Sequence, residues 1–156
     1  MTGKYILKPI DYDFMKKAQE VATESGCIRS LSRFGAVAVR DDKILSVGWN
    51  GHVGAIPSCL ASGKCIRKEL NIPSGTHREV GHCICAEQRL ICVAAKDGIA
   101  LNGATMYVTG LPCEVCVRLI IAAGFLRVIY LDTYANDKSY EMAQLGGLEL
   151  VKLTSI

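Results

Sequence analysis

Apolar positions along this chain fall into runs with two different rhythms, and the runs are divided by glycine, proline and charge. The stretch DYDFMKKAQEVATES (11–25) predicts a helix that stops at Gly26. FGAVAVR (34–40) and KILSVGW (43–49) are β-branched, apolar runs joined only by Asp41 and Asp42, a spacing that predicts an antiparallel hairpin. Residues 50–82 mix Gly, Pro, Ser and scattered charge and are expected to form a long loop, a feature often functional inside a compact domain. CAEQRLICVAAKDG, from about 85 to Gly98, reads as a helix, ATMYVTG (104–110) as a strand, and CEVCVRLIIAAG as a helix closed by Gly124. RVIYLD (127–132), DKSYEMAQLGG (137–147) and LELVKL (148–153) complete the chain as strand, short helix and strand. Helices alternating with strands predict a layered α/β domain spanning 1–156, with no linker or repeat.

Composition narrows the function classes. Of 156 residues, 50% are hydrophobic and 21% charged, enough apolar material to bury a core. The net charge of +3 is dispersed, with no run of five or more like charges, so no nucleic-acid footprint is indicated. The first residues, MTGKYILKPIDYDF, lack the apolar centre of a secretion signal, and no apolar run is long enough for a bilayer. The expectation is a cytoplasmic protein. In that compartment the eight cysteines are expected as thiols or metal ligands rather than disulfides.

The chemistry concentrates in two motifs. GHCICAEQ (81–88) places Glu87 two residues after Cys85, and LPCEVC (111–116) carries Cys113 and Cys116 in a C-x-x-C spacing after a proline and a strand. Positions i and i+3 share a helix face, so both thiolates of the second motif can reach one ion. Each motif opens a predicted helix, whose positive dipole end favours thiolate. Three protein ligands and one open position is the arrangement of a catalytic zinc, with Glu87 beside the open position as a proton carrier. The plainer readings are buried apolar thiols and a carboxylate favoured by the helix start.

C-x-E followed, after a helix and a strand, by P-C-x-x-C resembles the signature of the zinc-dependent cytidine and deoxycytidylate deaminases. Within that family GAVAVRDDKILSVGWNG, CIRKELNIPSG, AEQRLI, ATMYVTGLPCEVCVRLIIAAG and VIYLDTYAND look most like the deoxycytidylate branch, as does the long insertion between Asn50 and Cys85. The resemblance implies a three-layer α/β/α fold with a central mixed sheet of about five strands. It also implies zinc on Cys85, Cys113 and Cys116, and hydrolytic deamination, dCMP to dUMP with release of ammonia, in which Glu87 carries protons to ring N3 and to the departing amine. Asn50 matches the sugar-binding asparagine, the Ala86 backbone the group that holds the pyrimidine carbonyl, Tyr134 an aromatic near the base, and Lys96 a basic residue near phosphate. Asn50 could equally end a strand, Tyr134 fill a surface, and Lys96 serve the last turn of its helix.

One departure stands out. Relatives usually offer His-Ala-Glu where this chain has Cys85-Ala86-Glu87, and a third thiolate makes the site one unit more negative and its water less acidic. Arg89 is the expected compensating cation. A second, structural zinc is a further implication, from Cys27 and Cys59 with His77, His82 or Cys83 completing the set. The partners implied are a small nucleotide or nucleoside and further copies of the chain. The alternatives are deamination of another base or nucleoside, or a zinc-bearing regulatory subunit without turnover.

Overall fold

The structure, a computed structural model, describes residues 4–73, 75–133 and 137–154. Helix α1 (Pro9–Ala22) begins two residues earlier than the sequence pattern suggests. Pro9 brings a backbone already set for a first helical turn, and the Asp11 carboxylate accepts the Lys8 amide at 2.6 Å. Strands β1 (Gly35–Arg40) and β2 (Lys43–Trp49) form the expected hairpin. Both turn residues, Asp41 (φ 52°) and Asp42 (φ 56°), adopt the left-handed conformation that a tight two-residue hairpin turn demands.

The expected long loop is only partly a loop. It contains β3 (Gly51–His52), two single-turn helices, α2 (Cys59–Ser62) and α3 (Ile66–Glu69), a 3-10 turn at Arg78–Val80, and then β4 (Cys83–Ile84). Elements this short carry no periodicity; they are written in caps and turns. Ser58 accepts the Ala61 amide at 3.0 Å to start α2, and Gly63 (φ 68°) ends it. Helix α4 (Ala86–Lys96), β5 (Thr105–Gly110), α5 (Glu114–Ala122), β6 (Arg127–Asp132), α6 (Asp137–Leu145) and β7 (Glu149–Lys152) follow as the pattern predicts, with ends trimmed by one to two residues.

The main sheet has the order β2-β1-β5-β6-β7, antiparallel across β2-β1-β5 and parallel across β5-β6-β7. Strand alternation sorts its side chains into two cores. Val37, Val39, Tyr107 and Ile129 meet Phe14, Met15, Ala18 and Val21 of α1 on one face. Ala36, Ala38, Met106, Val108 and Val128 meet Leu90, Ala94, Val117 and Ile120 of α4 and α5 on the other. The result is the three-layer α/β/α arrangement with five strands. Gly48 sets the depth of the site: a Cβ there would lie 2.3 Å from the Ala86 carbonyl oxygen, so only glycine lets the first turn of α4 settle on β2.

Candidate metal centre and active site

Three cysteines from two motifs meet where α4 and α5 begin. Cys85 is the N-cap of α4, Cys113 the N-cap of α5, and Cys116 lies in the first turn of α5. Their sulfurs all lie within 4.8 Å of one another, and Cys113 and Cys116 are buried. The approach to each is fixed by hydrogen bonds. The Cys85 amide donates to the Gln88 side chain at 2.8 Å, and buried Ser139 of α6 donates to the Pro112 carbonyl at 2.7 Å. The Leu111 amide donates to the Asp132 carbonyl at 2.8 Å, holding the β5–α5 turn to the end of β6.

The thiols behave as one unit. Hydrogen bonds from Cys116 and Cys85 hold the Cys113 thiol far below the usual range, and the same contacts push Cys116 and Cys85 up. Three sulfurs, two of them buried, close enough to share one ion and already favouring a thiolate, fit zinc as three protein ligands.

Glu87, in the first turn of α4, is only 6% exposed. Burial pushes its carboxyl up to about 7, the charge of Cys113 adds to the rise, and the Arg78 guanidinium opposes it. Arg78 also helps lower Cys113. Arg78, which the sequence pattern did not single out, is thus a cation whose charge acts on both groups. Arg67 of α3 donates to the carbonyls of Pro73 and His77, at 2.8 and 2.7 Å, and so fixes the turn that presents Arg78. The Arg89 guanidinium donates to the carbonyls of Trp49, at 2.7 Å, and His52.

The other expected residues divide. The β3–β4 register pairs Gly51 with Ile84, so Asn50 and Cys85 each stand next to a paired residue. The Asn50 side chain accepts from the Phe34 amide and donates to the Ser32 carbonyl, both at 2.7 Å. Ala86 is fully buried at the start of α4, where helix geometry leaves its N–H without an intrahelical acceptor. Lys96, by contrast, stands in the last turn of α4 with a largely exposed side chain near Asp97. At 1.5 Å per residue it lies roughly 13 Å along the axis from Glu87, so a helix pointing its start at the site carries Lys96 away from it. Tyr134 lies outside the described residues.

A second group of thiols forms under the insertion. The Sγ atoms of Cys59 and Cys83 are 4.0 Å apart, Cys65 lies near enough to act on both, and Cys27 near enough to act on Cys83. Burial, with Cys83 and Cys65, pushes the Cys59 thiol up to about 12. The Leu60 amide donates to the Gly26 carbonyl at 2.9 Å, tying the Cys27 and Cys59 segments together. Of His77, His82 and Cys83, the residues expected to complete a set with Cys27 and Cys59, Cys83 is the one found beside Cys59. His77 instead meets Glu79 at 3.3 Å on the surface, and His82 is exposed.

The profile of the cytidine and deoxycytidylate deaminase zinc-binding region matches residues 9–132. Deoxycytidylate deaminase of Saccharomyces cerevisiae is 30% identical over 141 residues, which are 88% of this chain and 43% of the yeast protein. The chain thus spans less than half the length of that relative. Deoxycytidylate deaminase of Mycobacterium phage D29 is 31% identical over 122 residues, covering 77% of this chain and 94% of the phage protein. The crystal structure of dCMP deaminase from the cyanophage S-TIM5 in complex with dCMP and dUMP superposes with a TM-score of 0.71 at 26% identity, over 95% of this chain and all of the other. Profile, relatives and a paired C-x-E and P-C-x-x-C site agree: the chain belongs to the cytidine and deoxycytidylate deaminase zinc-binding family.

Proposed function

We propose that this chain hydrolyses the exocyclic amine of a cytosine nucleotide, converting dCMP and water to dUMP and ammonia. The observation that carries the reading is a buried carboxyl, Glu87, held beside a three-sulfur pocket. Zinc, held by Cys85, Cys113 and Cys116, would act there as a Lewis acid toward water. The chain's own part is proton handling and placement. Glu87 takes a proton from the attacking water and gives it to ring N3 as the oxygen bonds to C4. It then takes the proton of the new C4 hydroxyl and passes it to the amine, so that the C4–N bond breaks, ammonia leaves and the C4 carbonyl forms. A carboxyl pushed toward neutrality suits a group that must both accept and release protons. The N–H of Ala86 is the donor for the pyrimidine carbonyl. Asn50 keeps one lone pair and one N–H beyond its two backbone bonds, and these serve the sugar.

The choice of dCMP follows the names of the yeast and phage relatives and the nucleotides in the cyanophage structure. Ammonia release from dCMP, CMP, deoxycytidine, cytosine and guanine tests it. Turnover of dCMP well above the others is expected; a preference for guanine or a free nucleoside overturns the assignment.

The cofactor reading extends to a second, structural zinc drawn to Cys59 and Cys83, whose sulfurs are 4.0 Å apart, with Cys27 and Cys65 nearby as the thiols that would have to close in on the ion. The exposed apolar side chains Val115 and Leu119, one turn apart on α5, support assembly into a homo-oligomer. All eight cysteines are unpaired, which suits a reducing compartment such as the cytoplasm.

A further inference from the structure

The carbonyls that receive the Arg89 guanidinium are not arbitrary. Nε donates to Trp49, Nη2 donates to His52, and these two residues bracket Asn50 and Gly51. The guanidinium carbon also sits 4.9 Å over the Trp49 ring, which fixes its plane. We propose that Arg89 is a positioning residue that clamps the Asn50 turn onto the catalytic helix, and so sets the distance between the sugar-binding side and the reacting side of the pocket.

The connectivity supports a clamp. Arg89 lies one turn along α4 from Cys85 and two residues from Glu87. From Cys85 the chain runs back through β4, which pairs with β3 and so reaches His52 and Gly51. Helix, strand pair and guanidinium thus close a ring around the start of α4. On its other side Asn50 is pinned by its amide, which donates to the Phe34 carbonyl at 3.1 Å, and by its side chain on Ser32 and Phe34. Without Arg89 the turn stays attached to the Ser32–Phe34 segment, and only the two-residue β3–β4 pairing still links it to the helix that carries Glu87. The two carbonyls need donors from one rigid fork, which lysine, with a single point of charge, does not supply.

This inference rests on the deaminase reading, so its test has a readout independent of turnover. Arg89→Ala and Arg89→Lys are compared with wild type for zinc content, kcat and KM on dCMP, and amide hydrogen exchange at Asn50–His52. Both variants should keep wild-type zinc. KM should rise by ~10–100-fold while kcat changes far less, because substrate is misplaced and the proton carrier is intact. Exchange at Asn50–His52 should quicken in both variants, and added methylguanidine should return the Arg89→Ala KM most of the way to wild type. Arg89→Lys keeps the long side chain over Trp49 and decides the matter if Arg89→Ala does not fold. An unchanged KM with only a lower Tm, or a raised KM indifferent to methylguanidine, overturns the clamp. Wild type inert toward dCMP overturns the substrate reading alone, and unaltered exchange at Asn50–His52 in Arg89→Lys then still overturns the clamp.

Discussion

Cys59 and Cys83 bring their sulfurs to 4.0 Å across the insertion, although twenty-four positions separate them. Thiols pushed upward by burial and by one another are poor company unless a cation joins them, because each thiolate makes the next harder to form. A metal removes that conflict by replacing protons. Purified protein is therefore expected to carry two zinc per chain. Cys83→Ser should lose one equivalent and Cys113→Ala the other, whereas His77→Ala should keep both. Atomic absorption on the three variants checks this, and a single equivalent in the parent would dismiss the second site.

Arg78 opens a 3-10 turn that follows His77, itself in a left-handed conformation (φ 42°). Its charge lowers both the Cys113 thiol and the Glu87 carboxyl. Arg78→Gln should weaken zinc binding at the three-sulfur site on the order of tenfold, about 1.4 kcal/mol, by withdrawing support from the thiolates. Chelator competition reads the change directly. Equal zinc affinity in parent and variant would assign Arg78 to the loop alone.

Tyr107 donates its hydroxyl to fully buried Asp11 at 2.6 Å, joining β5 to α1 on the face of the sheet away from the metal. Tyr107→Phe deprives a buried acceptor of a partner and should cost about 1–3 kcal/mol of stability with zinc content unchanged. The pH dependence has a definite sign. Burial, with Asp11 adding, raises the Tyr107 hydroxyl above its ordinary value near 10, so the folded state holds that proton more firmly than the unfolded one. The contribution is complete below about pH 10 and fades as pH rises through the folded value. Alkaline urea titrations of parent and Tyr107→Phe should converge as that proton is lost.

The main elements were legible because each is long enough to show a period or is closed by glycine, as at Gly98 and Gly124. So were Cys85, Cys113, Cys116 and Glu87, which stand at fixed spacing in two short motifs. What sequence could not show depends on distant segments meeting. Arg78 follows turns held by Arg67, and Cys65 comes near Cys59 by way of two single-turn helices; neither leaves a periodic trace. Lys96 shows the limit of reading a site from a shared helix. It shares a helix with Glu87, yet a helix that aims its first turn at a pocket sends its last turn elsewhere.

Glu87→Gln separates the catalytic reading from the structural one most sharply. Glutamine keeps the size of the side chain and most of its hydrogen bonding, but cannot accept and release a proton. If Glu87 serves the transfers to N3 and to the amine, turnover of dCMP should fall by at least the ~10²–10⁴-fold typical of a positioned acid–base group. Zinc should remain, since the three sulfurs are untouched, and a hydrated-ring analogue should still bind through Ala86 and Asn50. The competing account treats Glu87 as an acidic residue favoured by the start of α4. It predicts near-normal rate and slightly lower stability. A buried carboxyl that gained nothing from proton transfer would moreover be better replaced by an amide, because burial penalises its charged form. Turnover, zinc content and melting temperature measured on one preparation of Glu87→Gln distinguish these outcomes, and an active but less stable variant would remove Glu87 from the chemistry.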